Sequence, residues 1–106
     1  MGAGRAGAWT AKNAEGKDIQ PVKTILISTG EELVRGRSVD TNASYLAVEL
    51  EGLGFETVRQ VTVGDEPEAM RQAISRALDD APLVIITGGL GPTADDRTRG
   101  AIARAL

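Results

Sequence analysis

The sequence of 106 residues contains no cysteine and no histidine. Without cysteine there is no disulfide framework and no thiol nucleophile, and without histidine there is neither a zinc site of the usual kind nor an imidazole general base. Any chemistry that the protein performs must therefore use carboxylates, hydroxyls, Lys, Arg and backbone amides.

The chain also has no excess of basic residues, few aromatic side chains and no long apolar runs. It carries 12 Lys and Arg against 15 Asp and Glu, a net charge of −3, and only 3% of its residues are aromatic. Nucleic-acid-binding proteins normally have a basic patch and aromatic rings for base stacking, so we expect no nucleic-acid partner. No apolar run reaches membrane-spanning length, and the N-terminus has no apolar signal-peptide segment. We expect a cytoplasmic protein with no membrane partner.

The composition and the periodicity indicate one small domain after a leader. With 42% hydrophobic residues, the chain can bury one modest core. Residues 1–22 are rich in Gly and Ala without periodicity and are predicted to be a mobile leader. Residues 23–106 alternate between strand-like runs at Lys23–Thr29, Phe55–Val63 and Leu83–Thr87 and amphipathic helical patterns. This β-α-β-α-β-α order predicts an α/β fold, Rossmann-like with three αβα layers, and a parallel sheet in strand order 2-1-3.

The most informative stretch is Leu83–Arg99, LVIITGGLGPTADDRTR. A run apolar on both faces is followed directly by a Gly-rich loop, and Thr93 then precedes Asp96 by three residues, the spacing of a capping box at a helix start. A strand, a Gly-rich loop and a helix N-terminus in this order form the place where α/β proteins bind anionic groups. We therefore expect a small phosphorylated ligand here. The loop contains Thr87, Gly88, Gly89, Gly91 and Pro92.

Asp95 and Asp96 at the start of this helix have two interpretations. A helix N-terminus meant for phosphate alone should not carry two negative charges, and a divalent cation that bridges phosphate and carboxylate would resolve the conflict. Alternatively, both aspartates cap the helix and complement its dipole. The spacing leaves both interpretations open.

Further acidic residues follow the first and second strands. Glu31 and Glu32 come directly after the first strand, Asp40–Asn42 supplies N-cap residues for the first long helix, and Asp65 precedes Glu68 by three residues at the start of the next helix. The carboxyl ends of parallel strands meet at one edge of the sheet, so these residues are expected near the Gly-rich loop. Capping is the more frequent role for such aspartates, and solvation for such glutamates.

Taken together, three loops resemble the molybdopterin-binding MoaB/Mog-like domain, and within it the N-terminal domain of the competence/damage-inducible protein A (CinA) family. The similar segments are 28–42 (STGEELVRGRSVDTN), 63–65 (VGD) and 87–96 (TGGLGPTADD). The resemblance implies a pocket for a nucleotide or pterin phosphate, a divalent metal ion such as Mg²⁺, and hydrolysis of the pyrophosphate of an ADP-ribose-like substrate. Asp95 and Asp96 would be its catalytic and metal-binding residues. The binding residues that it implies are Gly30, Glu32, Asp40, Asn42, Asp65, Thr87, Gly88, Gly89, Gly91, Pro92 and Thr93.

The resemblance also implies how much of the family domain this chain corresponds to and whether the chain self-associates. The family domain continues with further strands and helices after the helix that begins near Thr93, and an amidase domain often follows, so this chain is expected to correspond to the N-terminal part of the domain. The outer edge of the third strand would then be open, which predicts either self-association as a homo-oligomer through that edge or marginal stability. Three functions remain open: a metal-dependent pyrophosphatase, a binding module without chemistry, and an inactive fragment.

Overall fold

The computed structural model describes residues 11–12, 15–88 and 92–106, apart from the side chains of residues 11 and 92–98. Within the predicted leader, strands β1 (Ala11–Lys12) and β2 (Asp18–Ile19) pair antiparallel in a small sheet of their own. An exposed ion pair joins Lys12 Nζ to Asp18 Oδ1 over 2.6 Å, and such surface pairs stabilise little. The mobility of the leader stays a prediction.

The main sheet is parallel and three-stranded. Its strands are β3 (Val22–Thr29), β4 (Phe55–Val63) and β5 (Leu83–Thr87), in the order β4-β3-β5. The predicted order 2-1-3 is therefore confirmed, and β3 begins one residue earlier than expected. The central position suits β3 because its residues from Thr24 onward are all buried, whereas polar residues alternate irregularly along the edge strand β4.

Four helices complete the α/β fold, and local signals explain where two of them start. Asp40 caps α2, accepting a hydrogen bond from the Ala43 amide at 3.0 Å, as predicted. The cap of α3 is Glu66 and not the predicted Asp65, because Pro67 occupies the first helical position and the residue immediately before it becomes the cap. The helices are α1 (Glu31–Val34), α2 (Thr41–Gly52), α3 (Pro67–Asp80) and α4 (Pro92–Ala105).

Helix α4 begins at Pro92, one residue before the start predicted at Thr93. The capping box predicted from Thr93 to Asp96 depends on side chains outside the described residues. In the part of the chain that the structure covers, no helix is long and apolar enough to cross a membrane.

The core lies between the sheet and the helix pair α3 and α4. Ile25 and Ile27 of β3 point to this side, where their partners are Met70, Ile74, Ala77, Ala81 and Ala101. Because side chains alternate along a strand, buried Leu26 faces the opposite side, which α2 covers through contacts to β3 and β4. Helices on both faces of a parallel sheet make the predicted three-layer αβα arrangement, and the carboxyl ends of all three strands meet at one edge.

Candidate functional site

A cleft of about 230 Å³ opens at the carboxyl ends of β3 and β5. It draws on three parts of the chain that are distant in sequence: the end of β3 with α1, the start of α2, and the end of β5. Five of the residues predicted to bind a ligand line it together. The lining residues are Thr29, Glu32, Leu33, Val39, Asp40, Thr41, Asn42, Thr87 and Gly88.

Hydrogen bonds between the two strand ends fix the floor of the cleft. The Thr29 hydroxyl donates to the Thr87 carbonyl at 3.2 Å, and the Thr87 hydroxyl lies 3.4 Å from the Ser28 hydroxyl. Gly88 follows with a φ of +104°, and a Cβ there would collide with the backbone carbonyl and the hydroxyl of Thr29. Glycine is therefore required at this position by the packing of the strand ends themselves, as well as by any close approach of a ligand.

The first turn of α2 forms another wall of the cleft. Asp40, Thr41 and Asn42 all line it, and the amides of a helix N-terminus carry partial positive charge. The hydrogen bond from the Ala43 amide uses one of the two carboxylate oxygens of Asp40. Asp40 therefore caps the helix and presents its charge at the cleft at the same time.

Glu31 joins the cleft region to the loop that follows β4. Its Oε1 accepts the Asp65 amide at 2.8 Å and its Oε2 accepts Arg35 Nε at 3.1 Å. A Cβ on Gly64 would collide with the Glu31 carboxylate, so Gly64 leaves the space that this contact needs. The Asp65 amide first, and the Arg35 guanidinium second, hold the pKa of Glu31 below its ordinary value. Sequence reasoning did not assign Glu31 this role, since nothing in the chain distinguishes it from Glu32.

Several predicted site residues do not line the cleft in the described part of the chain. Gly30 is the N-cap of α1 and donates its amide to the Val63 carbonyl at 2.9 Å. Asp65 lies in the loop after β4, where its amide is bound by Glu31. Gly89 and Gly91 fall outside the described residues. So do the side chains of Pro92, Thr93, Asp95 and Asp96.

The predicted metal ligands are thus not among the described side chains. Where side chains are described, no group of three or more acidic residues is arranged to hold a metal ion. Glu32 and Asp40 are the two carboxylates in the cleft lining. They offer oxygen donors of the type that Mg²⁺ prefers, but fewer than a complete set of protein ligands.

A larger groove of about 480 Å³ lies between β4 and α3. Its lining mixes apolar and charged side chains and includes an exposed ion pair of 3.0 Å between Arg59 and Asp80. The sequence predicted no site residue here. The lining residues are Arg59, Val61, Val63, Ala69, Gln72, Ala73, Arg76, Asp79 and Asp80.

Comparison with known sequences agrees with the resemblance noted in the loops. Residues 25–106 match the profile of a family described as "Probable molybdopterin binding domain". A CinA-like protein of Chlorobaculum tepidum is 49% identical over 85 residues, which are 80% of this chain and 20% of that protein. A CinA-like protein of Gemmatimonas aurantiaca is 50% identical over 78 residues, 74% of this chain and 18% of the relative. The chain thus spans about a fifth of the length of these relatives.

Solved structures show the same fold. The crystal structure of the protein CinA from Thermoplasma acidophilum superposes with a TM-score of 0.74 at 34% identity, covering 80% of this chain and 50% of that one. The molybdopterin biosynthesis enzyme MoaB from Thermus thermophilus gives a TM-score of 0.63 at 26% identity, covering 78% of this chain and 54% of that one. Because the family profile matches more than half of the sequence, the chain belongs to the molybdopterin-binding domain family, with CinA-like proteins among its relatives.

Proposed function

We propose that this domain binds the phosphate of a small nucleotide or pterin in the cleft at the carboxyl ends of β3 and β5. The main support for the proposal is that three separate segments of the chain meet at this cleft. Glu32, the first turn of α2 and the Thr87–Gly88 end of β5 come from three separate segments and line one cleft. In open α/β sheets, ligands bind in this position, outside the carboxyl ends of the strands.

The chemistry of the cleft suits a phosphate that enters end-on. Gly88 has no side chain to keep a ligand from the backbone, Thr41 adds a hydroxyl, and the dipole of α2 favours negative charge at the start of the helix. The Thr41 and Ala43 amides already donate to the Val39 carbonyl and to Asp40. A volume of about 230 Å³ is below that of a typical pocket for a whole drug-sized ligand, so the cleft would hold the phosphate and the adjoining group.

The two carboxylates in the lining make a cation part of this proposal. Glu32 and Asp40 are negative, and the described lining residues include no Lys or Arg to offset them. An anionic ligand would be repelled unless a divalent cation neutralised the charge, as oxygen-rich sites for Mg²⁺ do. We therefore propose a divalent metal ion such as Mg²⁺ beside Glu32 and Asp40, with Asp95 and Asp96 as the further ligands that the resemblance implies.

The same acidic lining favours a second candidate function, hydrolysis of the pyrophosphate bond of an ADP-ribose-like substrate. A bound divalent cation lowers the pKa of coordinated water and stabilises charge on phosphoryl oxygens. In this proposal the chain's own contribution is to position the phosphates by the Gly88 backbone and the first turn of α2, with Asp95 and Asp96 as catalytic residues. Hydrolysis would yield AMP and ribose 5-phosphate.

Calorimetric titration with ADP-ribose, with and without Mg²⁺, tests the binding proposal. We expect binding that strengthens with Mg²⁺ in the parent and loses that dependence in Asp40→Asn, because asparagine keeps the helix cap and removes the charge. Asp79→Asn makes the same change on the rim of the groove and should leave binding unchanged. Equal binding by the parent and Asp40→Asn, or a loss in Asp79→Asn, would contradict the cleft as the site.

Product analysis separates the two candidate functions. AMP formed from ADP-ribose only when Mg²⁺ is present, and abolished in Asp96→Asn, supports hydrolysis. Binding with no AMP over long incubation leaves the domain as a binding module.

A further inference from the structure

Helix α1 is too short to hold its own position. It has four residues, all of them half-buried or exposed, and a single helical turn is not stable in isolation. Contacts outside the helix must therefore fix its place against the sheet. Those contacts matter for the cleft, because α1 presents Glu32 and Leu33 to the lining.

Two hydrogen bonds tie the start of α1 to the end of β4 and the loop that follows it. The Gly30 amide donates to the Val63 carbonyl at 2.9 Å. The Asp65 amide donates to Glu31 Oε1 at 2.8 Å. This second bond depends on a side chain, and Arg35 Nε donates to the other oxygen of the same carboxylate at 3.1 Å. Glu31 thus joins α1 to the neighbouring loop through its side chain.

Two glycines leave space for the two carboxylates of α1. A Cβ on Gly64 would collide with the Glu31 carboxylate. A Cβ on Gly30 would collide with the Glu32 carboxylate. The adjacent glutamates therefore point to different places, Glu31 to the loop after β4 and Glu32 to the cleft. Because both belong to one helical turn, a movement of α1 that releases one of them also moves the other.

The backbone of Glu32 also supports the approach to α2. Its carbonyl accepts the amides of Arg37 at 2.8 Å and Ser38 at 3.2 Å. These residues lead directly into Val39 and Asp40, which line the cleft. A displacement of α1 would therefore reach two walls of the cleft, the one that contains Glu32 and the one at the start of α2.

We propose that Glu31 is a positioning residue for the cleft. Its carboxylate anchors α1 to the loop after β4, and α1 in turn holds Glu32 and the approach to Asp40 in place for a phosphorylated ligand. The described residues that line the cleft do not include Glu31, so its effect on binding passes through α1. The role in binding rests on the proposed function, whereas the anchoring of α1 does not.

Amide hydrogen exchange of the full chain without ligand, read by NMR, tests the anchor. In Glu31→Ala the Asp65 amide loses its acceptor, and exchange at Asp65 and Arg37 should become at least about tenfold faster. Glu31→Gln keeps an oxygen that can accept the Asp65 amide and should recover most of the protection. Glu68→Ala removes an exposed carboxylate bound by Arg71 and is the control for the loss of a surface ion pair. Unchanged exchange in Glu31→Ala, with circular dichroism showing a folded protein, overturns the anchor.

A second substitution perturbs the same contact from the opposite side. Gly64→Ala places a Cβ where the Glu31 carboxylate lies, so it should release α1 without changing any charge. In Glu31→Ala that space is vacant, so the double variant should exchange no faster than Glu31→Ala alone. Additive effects of the two substitutions would show that the residues act separately, which contradicts the anchor.

Calorimetric titration with ADP-ribose and Mg²⁺ tests the consequence for the cleft. We expect Glu31→Ala and Gly64→Ala each to weaken binding about tenfold, with most of the affinity recovered in Glu31→Gln and none lost in Glu68→Ala. Faster exchange together with the affinity of the parent in Glu31→Ala would overturn the positioning role. A parent that does not bind ADP-ribose contradicts the proposed function instead, and the exchange measured without ligand then decides whether Glu31 anchors α1.

Discussion

The cleft and the groove in the described part of this domain differ in size and in origin. The groove between β4 and α3 has about twice the volume of the cleft, about 480 against 230 Å³. The groove is lined by β4, an edge strand, and by α3, the helix that follows β4 in the chain. The cleft combines the ends of two neighbouring strands with the start of α2. Volume alone would select the groove, whereas topology and chemistry select the cleft.

The reason lies in the strand order. From the central strand β3, the chain crosses to β4 on one side and later returns to β5 on the other, and the long helices that follow β3 and β5, α2 and α4, lie on opposite faces of the sheet. The loops therefore diverge at the carboxyl end of β3 and leave a crevice there, which is the topological switch point of such folds. The groove has no comparable cause, since it lies beside a strand whose outer side has no partner strand in the described residues.

The largest expected effect comes from Gly88→Val. A side chain at this φ, placed against Thr29, should lower the free energy of unfolding by about 2 kcal/mol or more and abolish ADP-ribose binding. Urea unfolding and calorimetric titration measure the two effects. Gly100→Ala is the control, because among the described side chains its Cβ would meet that of Arg104 at an ordinary contact distance of 3.6 Å, and alanine favours the helix. Unchanged stability and binding in Gly88→Val would remove this residue from the cleft floor.

A smaller effect is expected when the cap of α2 is lost. Asp40→Ala should lower the free energy of unfolding by about 1 kcal/mol, because the Ala43 amide loses its acceptor. Asp40→Asn should stay close to the parent in stability while it loses the Mg²⁺ dependence of binding. Urea unfolding of the three proteins separates the two roles of this side chain. If both variants are equally destabilised, the negative charge rather than the cap stabilises the helix.

Glu31 should contribute to the fall in the free energy of unfolding at acidic pH. Its pKa is lowered from an ordinary value of 4.5 by the Asp65 amide and Arg35. A carboxyl with a lowered pKa in the folded state stabilises above its unfolded pKa, and that contribution is lost as the pH falls through the folded value. Stability measured by urea unfolding from neutral to acidic pH should therefore fall less steeply in Glu31→Gln. Glu49→Gln, at an exposed position, is the control for the loss of one surface carboxylate. If the free energy of unfolding depends on pH in the same way in Glu31→Gln and in the parent, Glu31 makes no such contribution.

The smallest effect is expected in the groove. Arg59→Gln breaks the exposed ion pair with Asp80 and should change the free energy of unfolding by less than about 0.5 kcal/mol, with no change in ligand binding. The same unfolding and titration experiments measure both quantities. Weaker ADP-ribose binding in this variant would reverse the comparison between the two cavities.

The elements of the fold were predictable because their signals are local. The apolar runs define the strands, and Asp40 marks the start of α2 in the sequence itself. The predicted cap Asp65 was wrong by one residue, since the position of Pro67 decides which residue precedes the first helical turn. The parallel orientation of the strands followed from the helices between them, which are long enough to act as crossovers.

The candidate site was only partly predictable. The sequence correctly predicted that Glu31 and Glu32 lie at this edge of the sheet. It could not predict that the two side chains point to different places. Glu31 binds the Asp65 amide, whereas Glu32 lines the cleft. Likewise the contact between Gly88 and Thr29 joins a residue that follows β5 to the last residue of β3, and no local pattern encodes it. Such contacts depend on how α1 and the strand ends pack, which only the assembled fold determines.

The central claim is that a phosphorylated ligand occupies the cleft and not the groove. Amide chemical-shift mapping by NMR, with ADP-ribose and Mg²⁺ added stepwise to the labelled protein, tests this claim most directly. We expect saturable shifts at Thr29, Thr41, Asn42 and Gly88, with Arg76 and Asp79 unchanged. Shifts concentrated at Val61, Ala69, Arg76 and Asp79, with the cleft amides unmoved, would contradict the account.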